Sequence, residues 1–583
     1  MGKKIEFGND ADYYYNRGMD FADDGKNIEA ISNFYLALDL DPGNIYIMSE
    51  LAYSYYEMGL LNQAIKFYLR ILDADRYSDI SYIGLIQCFA QKGKMDVALY
   101  YLNMGLKYGA LDSDYMPKTD PEELAKTPPQ LGVIDNNDYS GLIALSGNVS
   151  DGSPDSPEEN RLARMLLEHV PESSPQYAEA RNRLALMLLK SGNNEESVAE
   201  AKKIIEKFPD NANAYCTLVS AYFIMGEYEK SKEAFALLDA LDARDRNDVA
   251  KIAACAADTD NDEMAVKYFG RLFDFVPYEA QPTVMYAVAL FNVGKVEEAR
   301  SYLTALRRIY PDNGMVKYYA MCVSDPSVKE RIKIDYDIPQ QEYRRRIKYI
   351  DERFSALGKV DDVVNGMFED EELYEDVMWL MSSSDQVYAG HIASFLCQNE
   401  YWQPVILDRL IDPEVSPAAK RDNLCSYLKF SKIKKFALVM TDALVFYSPR
   451  IPKGGSPVLE DAYWAAFATA AMLSTTFQPK LNKAYKKMIE KVVDPSRPEP
   501  QYSAQVLAAI LIRFCDVSRL FCNKDECCEL FTVSVEDYDE CLDGIGLRED
   551  EELAVKRYEA KLNKEMESAE ELFKAIGKSL QGD

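Results

Sequence analysis

Histidine is almost missing from this chain. Two occur in 583 residues, His169 and His391, which leaves little for imidazole acid–base work. Cationic excess is missing as well: 66 Lys plus Arg stand against 96 Asp plus Glu, a formal net charge of -30. A field of that sign repels phosphate backbones and anionic lipid, so neither a nucleic-acid platform nor a membrane-surface protein is expected. No apolar run is long enough to cross a bilayer. The longest, near Tyr463 to Phe477, falls short of the roughly 20 residues a span needs and carries Thr and Ser. It reads as a buried core helix. No apolar stretch follows Lys3 and Lys4, so no secretory signal is expected, and the 11 Cys keep no regular spacing, as reduced thiols do. These absences together predict a cytoplasmic protein.

Signatures of catalysis are absent too. The sequence has no Gly-x4-Gly-Lys-[Ser/Thr], no Gly-x-Gly-x-x-Gly after a strand, no His-Glu-x-x-His and no Gly-x-Ser-x-Gly. Cys515, Cys522, Cys527, Cys528 and Cys541 cluster in sequence, but at spacings of seven, five, one and thirteen, unlike the short paired spacings of structural zinc. Cys515 and Cys522 lie two helical turns apart, as buried small apolar residues do. The acidic run Glu369–Glu372 lacks the alternating oxygen donors and Gly of a calcium loop and suits a helix start, where negative charge is favoured. No catalytic set, metal or cofactor is expected.

What the chain does have is length for three to four domains, 48% hydrophobic residues to fill their cores, and a repeat. Gly25, Gly59 and Gly93 are each 34 residues apart, as are Ala30, Ala64 and Ala98. Around each glycine the pattern is an apolar-periodic helix, the glycine, then a second such helix. Leu-Asp-Pro-Gly-Asn at 40–44 closes the first unit as a turn. Gly192, Gly226 and Gly294 occupy a second 34-residue grid in another phase, with Pro209, Pro277 and Pro311 closing units, which gives 178–211, 212–245, 246–279 and 280–313. Two antiparallel helices approach closely only where a small side chain faces a large one. Gly18, Ala30 and Ala37 are the small residues of the first unit, with Tyr14, Phe21 and Phe34 around them; Ala287 and Ala299 serve the last, filled by Tyr286, Leu290 and Leu303.

This pattern resembles the tetratricopeptide repeat over about 11–110 and 178–313. The resemblance implies an all-α fold: a helical-hairpin superhelix of about seven repeats in two arrays, followed by a separate C-terminal helical domain. Some units depart from the family pattern. Arg17 replaces a usual Leu, Asp260 stands where Gly is usual, and Ile71 and Gly105 replace a small Ala. In this family the first helix of each pair lines a concave groove. Carried over, the groove positions of the N-terminal array are Tyr15, Met19, Tyr46, Ser49, Tyr53, Tyr56, Ile83 and Gln87, a tyrosine-rich composition of the kind enriched in binding sites. Those of the second array are Asn182, Leu186, Asn213, Cys216, Ser220, Phe223, Asn247, Ala250, Ala254, Val288 and Phe291, where Asn can pair a peptide backbone through both donor and acceptor or cap the next repeat instead. Some relatives grip a C-terminal carboxylate with paired Lys and Asn. The corresponding places hold Tyr15, Met19 and Ser49, so capture of that type is not expected.

The expected division is 1–110 for the first array, 111–157 for a Pro/Gly/Asp-rich insert, 158–325 for the second array with flanking helices, and 326–583 for the C-terminal domain. In that domain helices are expected at 342–357, 371–381, 385–398, 402–411, 417–428, 431–447, 458–477, 479–492, 501–515 and 549–577, with few strands. Residues 525–547 follow a helix-turn-helix pattern but crowd Glu536, Asp537, Asp539, Glu540 and Asp543 on the second helix, which repels duplex DNA. The basic run Arg344–Arg346 reads as a solvated helix face, with the binding of an acidic partner as the alternative. The leading expectation is a protein- or peptide-binding scaffold without catalysis, with no nucleic acid or membrane as partner. One alternative is a peptide-responsive regulator whose array controls the C-terminal domain; another is an enzyme or metal protein built on the C-terminal half, for which only the cysteine cluster speaks.

Overall fold

The computed structural model describes residues 10–112, 170–336, 338–381, 386–440, 442–472, 477–492, 502–515 and 524–557, with 164, 167, 168 and 560. The insert expected at 111–157 lies outside the described residues except Leu111 and Asp112. Most of the residues 158–169 that open the second array's range, and most of the helix expected at 549–577, lie outside them as well, although 548–557 are helical. The chain forms two compact units, one of 1–64 and 106–344, the other of 65–105 and 345–583.

In the first unit α1 (Ala11–Asp23), α2 (Asn27–Leu40) and α3 (Ile45–Glu57) come from the N-terminal grid. The chain continues through α4 (Leu61–Ala74), α5 (Asp79–Gln91) and α6 (Met95–Tyr108), then returns as four hairpins. These are α7 (Tyr177–Lys190) with α8 (Asn194–Lys207), α9 (Ala212–Ile224) with α10 (Tyr228–Asp239), α11 (Arg246–Asp258) with α12 (Asp262–Phe275), and α13 (Ala280–Asn292) with α14 (Val296–Ile309). Helix α15 (Gly314–Ser324) packs on the last hairpin. The small-to-large seam is realised as the residue sizes dictate: Gly18, Ala30, Ala37 and Phe34 are buried, and a Cβ at Gly18 would sit 2.5 Å from the Phe34 ring. Helix α2 also packs against α14, and the buried Tyr55 hydroxyl, 3.0 Å from that of Tyr35, donates to the Ile309 carbonyl. Within this unit the start of the first array therefore lies beside the end of the second.

Each inter-helix turn needs one residue in the left-handed region, which glycine enters without a Cβ penalty. Gly25 has φ +72, and the following Lys26 N–H donates back to the Phe21 carbonyl at 2.8 Å, closing the helix. Asp260 takes the same role at φ +54, with Asn261 N–H donating to the Ala256 carbonyl at 2.9 Å. The grid survives there with a strained residue.

The second unit joins 65–105 to the C-terminal half. That half contains α16 (Gln340–Leu357), α17 (Val360–Glu369), α18 (Glu371–Leu380), α19 (Gln386–Leu396), α20 (Gln403–Ile411) and α21 (Pro417–Phe430). A two-stranded antiparallel hairpin follows, β1 (Phe436–Met440) and β2 (Ala443–Tyr447), with Phe436 opposite Tyr447. Then come α22 (Pro457–Ala471), α23 (Gln478–Val492), α24 (Ala504–Phe514), α25 (Lys524–Leu530) and α26 (Val535–Gly544). The helix expected at 431–447 is a correction: this stretch is the hairpin. Its Val, Phe and Tyr favour strands, and Asp442, at φ +68, makes the turn.

That hairpin docks on the third repeat of the first array. The Tyr101 hydroxyl donates to the Asp442 carbonyl at 2.7 Å and accepts the Leu444 N–H at 3.2 Å, while Tyr100 donates to the Leu444 carbonyl at 2.7 Å. Lys94 pairs with Asp442, and the Arg76 guanidinium lies 3.7 Å above the centre of the Phe446 ring. Lys66 pairs with the buried Asp412 at 2.9 Å. Among the described residues no helix is long and apolar enough to cross a membrane.

The basic run is not wholly solvated. Arg345 bonds Glu372 at 3.1 Å, and buried Arg346 faces Asp376 at 3.5 Å with its guanidinium 5.0 Å from the Trp379 ring centre. Asp370 of the acidic run caps α18, accepting the Leu373 N–H at 3.1 Å. Cys515, Cys527, Cys528 and Cys541 are buried in the apolar core, and burial pushes the Cys541 thiol up to about 12; Cys522 lies outside the described residues.

Candidate groove for an extended chain

The first helix of each hairpin carries the expected groove residues. In the first unit Tyr46 and Tyr53 are 70% and 54% exposed, enough to meet a partner, while Tyr15, Met19, Ser49 and Tyr56 are half-buried. This tyrosine surface is acidic. The charge of Glu57 and a hydrogen bond to it hold the Tyr53 phenol above its ordinary pKa, and burial, then the nearby Asp23, raises Glu50. Ile83, half-buried, and Gln87, exposed, belong to the second unit.

In the second array the expected asparagines have different roles. Asn182 donates to the Asn211 side-chain oxygen at 3.1 Å, and Asn211 caps the next helix by accepting the Ala214 N–H at 3.0 Å. Asn182 is thus tied into the link between repeats. Asn213 is half-buried, and its main-chain carbonyl accepts the Thr217 hydroxyl at 3.0 Å; Asn247 is exposed, its N–H capped by Asp245 at 2.8 Å. Ser220 lies 3.9 Å from the Cys255 thiol, which donates to the Cys216 carbonyl at 3.7 Å. Phe223 packs edge-on against Tyr228, with ring centres 5.5 Å apart, and Phe291 is half-buried.

One residue beyond Phe291 lies the side chain that sequence reasoning missed. Asn292 accepts the Ile332 N–H on its oxygen at 2.9 Å and donates to the Ile332 carbonyl at 2.8 Å. Both main-chain groups of one residue are held by one carboxamide, as a neighbouring strand would hold them. The carboxamide is itself oriented by Asp262, whose Oδ1 accepts the Asn292 amide at 2.9 Å. Gln281, at the other end of the same helix, donates to the Tyr336 carbonyl at 3.1 Å, and the Tyr319 hydroxyl bonds the Asp335 main chain. The stretch 331–335 has neither helix nor turn, and its side chains alternate, with Arg331 and Lys333 exposed and Ile334 only 3% exposed. An extended segment thus lies across the first helices of the third and fourth hairpins and α15.

The acids of this wall face the cations of that segment. Arg331 makes a two-pronged pair with Asp262, Nε to Oδ2 at 2.6 Å and Nη2 to Oδ1 at 2.9 Å, and its Nη1 lies 2.9 Å from Asp260. Asp258, raised by burial, feels the opposing charges of Lys333 and Asp335. Burial, then Asp258, pushes the Tyr336 phenol up to about 12. Asp260 was the one hint in the sequence, as the departure from glycine.

Helical hairpins on a 34-residue grid, with inner helices that hold an extended chain, define a repeat protein of the helix-turn-helix class. Family models described as tetratricopeptide repeat match residues 21–85, 159–212 and 212–245, which lie in the first array and the first two hairpins of the second. The family match does not extend to the C-terminal half. No curated protein matches the chain in sequence. Among solved structures, YrrB, described as a TPR protein with an unusual peptide-binding site, is 16% identical, spans 34% of this chain and 90% of its own, and has a TM-score of 0.22. The TPR2AB domain of yeast Sti1, in complex with pHSP90, is 19% identical over 44% of this chain and 98% of its own, with a TM-score of 0.19. Yeast Tom70 is 11% identical over 66% and 94%, with a TM-score of 0.23.

Proposed function

We propose that this protein is a scaffold or adaptor that binds a polypeptide partner on the inner walls of its repeats and performs no catalysis. The observation that carries the reading is the Asn292 carboxamide gripping the Ile332 main chain through donor and acceptor together. Backbone recognition of that kind suits an extended peptide of many sequences, and the exposed Tyr46 and Tyr53 supply a second surface of large amphipathic rings. A reading as a ligand-responsive regulator is favoured by one further fact: the held segment precedes helix α16, the first helix of the C-terminal half, by only a few residues in sequence.

Site-specific photo-crosslinking in the full-length protein tests the scaffold. A photoreactive residue at Tyr46, Tyr53, Asn213 or Asn247 should capture a polypeptide from the native cell, while the same residue on the outer face, at Lys203 or Lys232, should capture none. Equal capture at inner and outer positions, or none at the inner ones, would remove the basis of the proposal.

A further inference from the structure

Four things coincide at the third and fourth hairpins of the second array. The first is the main-chain clamp of Asn292, set by Asp262. The second is an acidic ladder, Asp258, Asp260 and Asp262, at the end of one inner helix and the start of its partner. The third is strain. In the other six repeats a glycine takes the left-handed turn position; here a β-carbon-bearing aspartate does so at φ +54, at a cost on the order of 1 kcal/mol. The fourth is what that aspartate touches, the guanidinium of Arg331 at 2.9 Å. A residue that breaks the repeat rule and is strained for it, yet reaches the occupant of the groove, marks a recognition site rather than a structural turn.

The occupant has the properties of a weakly retained ligand. Its main chain is held by side chains, Asn292 and Gln281, instead of by a helix or sheet ladder of its own. Lys333 remains at the surface, where an ion pair is worth little, about 0–1 kcal/mol, and only Arg331 has a two-pronged partner in Asp262. The firm anchor is Ile334, buried at 3% exposure, and burying one such side chain contributes roughly 2–3 kcal/mol. A segment so held exchanges with a competitor far more readily than a packed helix does.

We propose that residues 331–336 are an internal pseudo-ligand, and that the groove beneath them is a binding site for an extended polypeptide segment in which an arginine is followed by alternating aliphatic residues. Asp260 and Asp262 select the arginine, Asn292 holds the main chain of the next residue, and the pocket of Ile334 takes the aliphatic side chain two residues further on. The partner enters by displacing the chain's own segment. This rests on the scaffold reading and narrows it to one groove and one ligand chemistry.

The test uses the full-length protein and a fluorescently labelled peptide of residues 328–339. In the intact protein, Ile332 N–H is protected from hydrogen exchange and the peptide binds weakly. In Arg331→Glu, which sets a carboxylate against Asp260 and Asp262, protection of 331–336 is lost and the peptide binds at least tenfold more tightly by anisotropy. Asp260→Gly, which relieves the turn while removing an arginine partner from segment and peptide alike, gives no comparable gain and no loss of thermal stability. Adding Asn292→Ala to Arg331→Glu abolishes the gain. Release of 331–336 in Arg331→Glu without tighter peptide binding overturns the proposal, and so does a segment that stays protected in both variants. Either result leaves photo-crosslinking at Tyr46, Tyr53 and Asn213 free to succeed, so failure of this inference is distinguishable from failure of the scaffold reading.

Discussion

At the scale of single residues, the second unit contains a charge in an unfavourable place. Lys420 is 4% exposed, donates to the Val439 carbonyl at 3.0 Å, and burial pushes its ammonium down to about 8 against the partial help of Asp412. Such a group gives up its proton in the folded state before it does in the unfolded chain. Between pH 8 and 10.5 the unfolded state therefore holds more protons, and stability rises with pH. Below about 8 both states are charged and the full penalty, roughly 3 kcal/mol for a depression of this size, stands. Lys420→Met is expected to raise the melting temperature of the second unit at pH 7, by less than that penalty because Val439 loses its donor. The advantage should shrink as the pH approaches 10. Melting curves at pH 7 and pH 10 check this; a constant gap between variant and parent would show that the buried charge is not the cause. Nothing in the sequence marks Lys420, because a lysine on a helix is ordinarily a solvated residue and only the arrival of the β-hairpin buries it.

At the scale of elements, what was legible depended on local pattern. Hairpins on the 34-residue grid were readable because each repeats the same small-to-large seam, so Gly18 and Phe34 could be assigned to that seam, though not to each other, before the fold was seen. Helix α17 and the β1–β2 hairpin were not. Five-residue strands alternate too briefly to separate from a short apolar helix, and what decides them is packing on α6, far away in sequence. The same limit hid the groove's occupant: 331–336 has no period, and Asn292 is one ordinary asparagine until Ile332 lies against it. The Tyr101 hydroxyl now allows the hairpin's dependence on α6 to be measured. Tyr101→Phe leaves the Asp442 carbonyl and the Leu444 N–H without that partner, at about 1–3 kcal/mol for each buried group left unpaired. Hydrogen exchange across 436–447 should accelerate in the variant while exchange in α2 and α14 stays unchanged. Uniform acceleration across both units would mean that the tyrosine acts on global stability rather than on the hairpin.

At the scale of the whole molecule, sequence order and compact units do not run in parallel, and this sets how the protein can be cut. Residues 65–105 share a unit with 345–583, and their ion pairs and hydrogen bonds to Asp408, Asp412, Asp442 and Leu444 are made within it. Helices of 13 and 14 residues are marginal alone in water and take their stability from packed faces. A fragment ending at 344 would keep α11–α14 with their neighbours but strip 65–105 of the β-hairpin and of α20. The expected result is fast hydrogen exchange through 65–105 in that fragment and near-native protection in 280–309. Full protection of 65–105 in the fragment would show that the repeats hold themselves without the C-terminal half. The distinction bears on function, because Ile83 and Gln87 lie in the stretch at risk. A binding experiment on the isolated repeats would then sample the second array and the first three helices, and would miss any partner that needs the third repeat in its native form.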